Sequence, residues 1–142
     1  MKKIILAACV AMVTMSSCQQ KSTKNATQVQ QYAEEAIKVH DEIMPQISHF
    51  DRATLKIDSI LENLGNIAQK DKSVDTATVK AELETLKANL ENATDNMMSW
   101  MKDYAPDSTD VAYQKAEVEK VKAMKKQFED VSLESNTKLG KF

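Results

Sequence analysis

The strongest constraint in this sequence is a stripe that recurs without a break from Val29 to Ala68. Its members are Val29, Ala33, Ala36, His40, Ile43, Ile47, Phe50, Thr54, Ile57, Leu61, Leu64 and Ala68, and the steps between them alternate four and three. That is a heptad seam, the pattern that keeps one stripe of an α-helix turned toward partner helices. A strand has a side-chain period of two and cannot present this set on one face. A second seam of the same kind follows: Val79, Leu83, Leu86, Leu90, Ala93, Met97, Trp100 and Tyr104. A third, less regular stripe carries Val118, Val121, Met124, Phe128 and Val131, preceded by Val111, Tyr113 and Ala116.

Punctuation between the seams sets the element boundaries. The 142 residues include only 2 glycines and 2 prolines, so turns are few and helices long. The first helix is expected over about 26–68, closed by Gly65-Asn66 and Lys70-Asp71-Lys72-Ser73. The second is expected over 76–104, capped by Asp75 or Thr76 and stopped at Ala105-Pro106-Asp107. The third is expected over 109–135, capped by Ser108, Thr109 or Asp110, with a tail from Glu134 that loses the pattern and frays. Short links favour antiparallel neighbours. The fold class is therefore all-α: an antiparallel three-helix coiled-coil-like bundle forming one domain over 26–139, with a long first helix kinked at Pro45. Pro45 removes a backbone donor and crowds the carbonyl of Asp41, but the heptad phase survives across it. At ~1.5 Å per residue the first helix reaches ~64 Å. Its N-terminal part, around residues 29 to 36, is expected to overhang the bundle and to offer a seam to a partner helix or a second copy.

The N-terminus reads as an export signal. Met1-Lys2-Lys3 is a short positive start, and Ile4 to Met15 is an apolar run of signal-peptide length, too short for the roughly 20 residues that span a bilayer. The run ends in Met15-Ser16-Ser17-Cys18. Small residues just before a cysteine resemble the lipobox of bacterial lipoproteins, here in a relaxed form with Met15 and Ser17 at the positions usually held by Leu and by Ala or Gly. The resemblance implies a signal peptide over 1–17, cleavage before Cys18, and diacylglycerol plus an amide-linked acyl chain (palmitate-type lipid) on Cys18. Several acyl chains make such an anchor stable, since each buried CH₂ contributes ~0.8 kcal/mol. Cys9 leaves with the signal and Cys18 carries lipid, so no disulfide framework remains. Residues 18–25, polar and unpatterned, read as a flexible tether.

Chemistry-bearing residues concentrate in His40-Asp41-Glu42-Ile43-Met44-Pro45 and in Met97-Met98-Ser99-Trp100-Met101. Counting back from the link between the first two helices places both stretches in one layer. His40 and Met44 are four apart, as are Met97 and Met101, so each pair shares a helix face. Thioethers and imidazole suit Cu(I) or Ag(I), and an indole face such as that of Trp100 can cap a soft ion. The plainer reading is packing: methionine fills irregular space beside a proline, and a tryptophan on a seam belongs to the core. Met98 points away from the seam, so the methionines do not all converge. Catalysis is not indicated. Asp41 and Glu42 are adjacent and diverge, Ile37 stands where the Glu-x-x-His of di-iron bundles needs a glutamate, and no nucleophile elbow, P-loop or His-Glu-x-x-His is present. A formal charge of −2 without a dense Lys/Arg cluster gives no nucleic-acid surface.

The pair His-Asp-Glu-x-Met-Pro and Met-Met-x-Trp-Met, behind a lipoprotein signal, resembles a group of small helical lipoproteins of Bacteroidota often labelled viral A-type inclusion protein. That label reflects coiled-coil similarity and carries no established activity. The resemblance spans most of the chain after Cys18. It implies a helical, lipid-anchored protein of the cell envelope, at the outer membrane, and leaves the mechanism open. With no catalytic constellation in the residues, the expected role is non-catalytic and without a cofactor: structural, or binding a protein partner or itself through helix faces. The residues after Cys18 lack the acidic run associated with surface export in this group, which favours the periplasmic side.

Overall fold

The computed structural model describes residues 16–142, with side chains from residue 23 onward. Three helices pack into a bundle: α1 (Ser16–Lys70), α2 (Thr76–Asp103) and α3 (Val111–Leu139). The descending α2 is antiparallel to both others. α1 and α3 run parallel, and successive ion pairs fix their register: Glu35–Lys122 at 2.7 Å and Glu42–Lys125 at 2.6 Å, followed by Lys56 donating to the carbonyl of Leu139 at 2.9 Å.

The helix starts follow local chemistry. Asp75 caps α2, its carboxylate accepting from the amides of Ala77 and Thr78, and Asp110 caps α3 by accepting from Ala112 and Tyr113. Each cap satisfies amides that have no partner inside the first turn. Between α1 and α2, the Asp71 carboxylate accepts from both the amide and the hydroxyl of Ser73, which folds the link tightly enough to turn the chain back.

Three boundaries differ from the sequence expectation. α1 begins at Ser16, so residues 18–25, expected to form a tether, belong to its first turns. Gln, Lys, Ser, Thr and Ala in this stretch contain nothing that breaks a helix, and a heptad pattern is not required for a helix to continue. At the other end α1 passes through Gly65 to Lys70, because a single glycine weakens a helix without ending it. α3 does not fray after Glu134. It continues to Leu139, held there by burial of Ser135 and Leu139.

The core is the set of seams closing on each other. Ala36, Ile43, Phe50, Ile57 and Leu64 of α1 meet Leu83, Leu86, Leu90, Ala93, Met97 and Trp100 of α2, and Val118, Val121, Phe128 and Val131 of α3. Phe50 and Phe128 stack at its middle, with ring centroids 4.8 Å apart. α1 also buries a column that the seam omitted, with Tyr32, Val39, Ala53, Ile60 and Ile67 either in the core or packed on it. These residues sit at heptad spacing beside the seam. A helix with two neighbours needs a wider apolar stripe than a coiled-coil strand with one. Pro45 faces solvent within α1, which remains one helix through it.

The expected overhang is shorter and more polar. Ala36 is fully buried, Tyr32 packs on the core, Val29 and Ala33 are half-buried, and Glu35 is tied to Lys122. The seam positions Val29, Ala33 and Ala36 are therefore already partly or fully covered by the bundle. Beyond them Thr23, Lys24, Asn25, Ala26 and Thr27 are exposed and present no apolar seam.

Candidate functional site

The two unusual stretches do meet. The imidazole of His40 lies 5.9 Å from the indole of Trp100, and Tyr104 stacks on Trp100 at 4.6 Å. Tyr113, at the start of α3, continues the series, its ring 6.4 Å from that of Tyr104. The result is an aromatic ladder across the end of the bundle where α2 turns into α3. Its geometry comes from the seams: His40, Trp100 and Tyr104 all occupy seam positions, and the turn after Tyr104 brings Tyr113 back over them.

The ladder is held by buried polar groups from α3. Glu117 is buried, and its Oε2 accepts from Trp100 Nε1 at 2.8 Å while Oε1 accepts from Lys120 Nζ at 2.6 Å. Gln114 is completely buried. Its Oε1 accepts from the Tyr104 hydroxyl at 2.8 Å, and its Nε2 donates to the carbonyls of Ala105, Pro106 and Ser108. The amide of Ala105 donates to the Tyr113 hydroxyl. These bonds serve the backbone groups that the end of α2 and its turn would otherwise leave unpaired. Burial raises the Tyr104 phenol above its usual range, with smaller contributions from Tyr113 and Glu117, so it stays a neutral donor to Gln114. Lys120 is raised by its bond to Glu117 and stays charged.

Sequence reasoning missed Gln114 and Glu117. The available signal was spacing: Gln114, Val118 and Val121 continue a four-three pattern, and Gln114 and Glu117 are three apart on that face. Polarity hid them, because a seam search looks for apolar residues.

The proposed soft-metal donors do not form one set. Met97 is fully buried in the core, Met44 is partly buried against it, and Met101 is 40% exposed. Met98 is exposed as well, as its position off the seam implied. The Trp100 indole has one ring stacked on it and its N–H committed to Glu117, so it is already engaged. His40 Nδ1 lies 3.0 Å from the Asp41 carboxylate, while its Nε2 is buried and unpartnered among the described residues. Metal-capable groups of three or more His, Cys, Asp or Glu side chains do not occur among the described residues. His49 is exposed and bonded to Arg52. Cys18, the expected lipidation position, lies in the first turns of α1 with its side chain outside the described residues, and residues 1–15 of the expected signal peptide over 1–17 lie outside them altogether. No described helix is long and apolar enough to cross a membrane.

No family model matches the chain, and no match was found among curated proteins or solved structures.

Proposed function

We propose that this protein is a non-catalytic lipoprotein of the bacterial cell envelope. It is anchored at the outer membrane through Cys18, and its bundle serves as a structural or protein-binding module. The observation that carries the reading is the lipobox-like sequence Met15-Ser16-Ser17-Cys18, with α1 running from Cys18 into the bundle. The helix includes Cys18 and enters the core by Tyr32, fourteen residues on, about 21 Å at 1.5 Å per residue. A lipid on Cys18 would then hold the aromatic ladder at a set height above the membrane, on a helical stalk instead of a loose tether. The buried polar groups of the ladder support a structural role, because each oxygen of Glu117 and both ends of Gln114 already bond within the bundle.

The test is metabolic labelling. Full-length protein made in a bacterium with lipoprotein maturation should incorporate labelled palmitate and partition into detergent. Cys18→Ala should lose both. Label retained in Cys18→Ala, or a wild-type protein that carries no lipid, would refute the anchor.

A further inference from the structure

The three grooves of the bundle are not closed alike. The α1/α3 groove is tied by Glu35–Lys122 and Glu42–Lys125. The α2/α3 groove is bridged by Asn92 and Asn96 to Gln127, by Asn89 to Glu134 and by Trp100 to Glu117. The α1/α2 groove has a single polar tie among the described residues, Lys87 to Asp58 at 2.6 Å. From that tie toward the aromatic end no hydrogen bond or ion pair crosses it among the described residues, and the rings of His40 and Trp100 meet at its far end.

This open groove has a distinct chemistry. A cleft of about 530 Å³ lies in it, with Phe50 and Leu90 at its base and Leu55 on its wall, 69% exposed. Asp51, Glu91 and Asp95 line it, and none of them forms an ion pair among the described residues. Lys87, whose ammonium feels Glu91, is committed to Asp58. The edges carry further apolar groups toward the ladder. On α1, Ile37, Met44, Asp51, Leu55 and Asp58 share one flank by their spacing. On α2, Glu91, Thr94, Met98 and Met101 do the same. Ile37, Met98 and Met101 are all at least 40% exposed. Large apolar side chains beside unpaired carboxylates ask for a partner that brings both apolar surface and positive charge.

We infer that the α1/α2 groove is a docking site for a basic amphipathic helix of another protein, which packs there as a fourth helix. An amphipathic helix laid in a groove buries an apolar stripe and leaves its flanks for charge, and Lys or Arg on those flanks would meet Asp51, Glu91 and Asp95. From Met44 to Asp58 the groove extends about 21 Å, within the span of an 18-residue helix. Methionine suits the upper edge, because its unbranched thioether adapts to the shape of what it meets. This inference rests on the proposed protein-binding role and gives that role a place and a partner chemistry.

The test immobilises the full chain through a C-terminal tag, so the readout does not depend on lipid. The probe is an 18-residue synthetic helix with leucine at heptad a and d positions and lysine on both flanks. A second peptide keeps the leucines and replaces lysine with glutamate. The lysine peptide should bind at least ten-fold more tightly. Leu55→Lys should weaken it ten-fold or more, whereas Leu133→Lys, an equally exposed leucine on α3, should change it less than two-fold. Asp51→Asn with Glu91→Gln and Asp95→Asn should weaken it about ten-fold and flatten its salt dependence. Circular dichroism confirms that each variant is folded. Absence of binding, equal binding of the two peptides, or equal effects at Leu55 and Leu133 overturns the inference. So does a dimer in sedimentation equilibrium that Leu55→Lys dissolves, because a second copy would then be the occupant. None of these results bears on palmitate labelling, so the anchor and the groove fail separately.

Discussion

Replacing Glu117 should destabilise the bundle chiefly through Trp100. The Glu117 carboxylate is buried and accepts the indole N–H of a tryptophan that is only 8% exposed. Its other bond goes to Lys120, which is largely solvated and contributes little. In Glu117→Ala the indole N–H loses a charged acceptor, a change that costs about 1.5–3 kcal/mol. One buried methylene goes as well, at ~0.8 kcal/mol. The expected loss is therefore about 2–4 kcal/mol. Glu117→Gln keeps the methylenes and an acceptor oxygen and should cost only about 1 kcal/mol. With a urea slope of roughly 1.5 kcal/mol/M, the midpoint followed by circular dichroism should fall by about 2 M for Ala and well under 1 M for Gln. A double-mutant cycle with Trp100→Phe should return a coupling of about 1 kcal/mol or more. If Ala and Gln behave alike, or Ala stays within about 0.5 kcal/mol of the parent, the bond does not hold the ladder and the reasoning fails.

Other expectations follow from single features. Phe128→Ala removes a fully buried ring stacked on Phe50 and should cost about 3–5 kcal/mol, whereas Leu133→Ala, at an exposed position, should stay within about 0.5 kcal/mol in the same urea titration. Pro45→Ala returns a backbone donor to the Asp41 carbonyl at an exposed site; net of the freer unfolded chain it should stabilise by about 1–2 kcal/mol, and a fall in melting temperature would mean that packing depends on the proline. The Asp75 carboxyl is held below its usual range, first by the Thr78 hydroxyl and then by the amides of Thr78 and Ala77. A depressed folded-state pKa gives stability that is complete above the ordinary aspartate range and lost as pH falls through the lower folded value, so the difference between wild type and Asp75→Asn should shrink from pH 7 toward pH 3. Silver(I) titration followed by Trp100 fluorescence should show no one-to-one quenching; stoichiometric quenching lost in His40→Ala and in Met44→Leu would reinstate a metal layer.

The legibility of the sequence varied with how wide a face each helix buries and what it puts there. α2 was read almost completely, because each of its seam residues from Leu83 to Trp100 is apolar and buried. α1 was read in part. Its seam was correct, but Tyr32, Val39, Ala53, Ile60 and Ile67 were left out because a two-column heptad is narrower than the three-column face that α1 buries. The link caps were legible since Asp75 and Asp110 are strong N-caps whatever follows. The start of α1 was not, because residues 18–25 carry no tertiary pattern and only their lack of breakers speaks for a helix.

α3 shows most plainly why a site can be hidden in a readable fold. Its stripe looked irregular because Gln114, Glu117 and Ser135 interrupt it, yet all three are buried. Burying polar groups is unfavourable unless each finds a partner, and here Gln114 and Glu117 find theirs in the turn carbonyls, Tyr104 and Trp100. Those partners come from another helix and from the α2/α3 turn, so nothing local to α3 announces them. The same polar residues also select the pairing. A seam of only apolar residues could slide by a heptad with modest loss, but sliding α3 against α2 would strand the Trp100 N–H and the Gln114 amide in the core. The ladder is thus the part of the bundle that sets its register. It also lies at the end of the bundle nearer Cys18, so under the proposed anchor the most specified layer of the fold would stand closest to the membrane, and the open α1/α2 groove beyond it would face partners at a defined height.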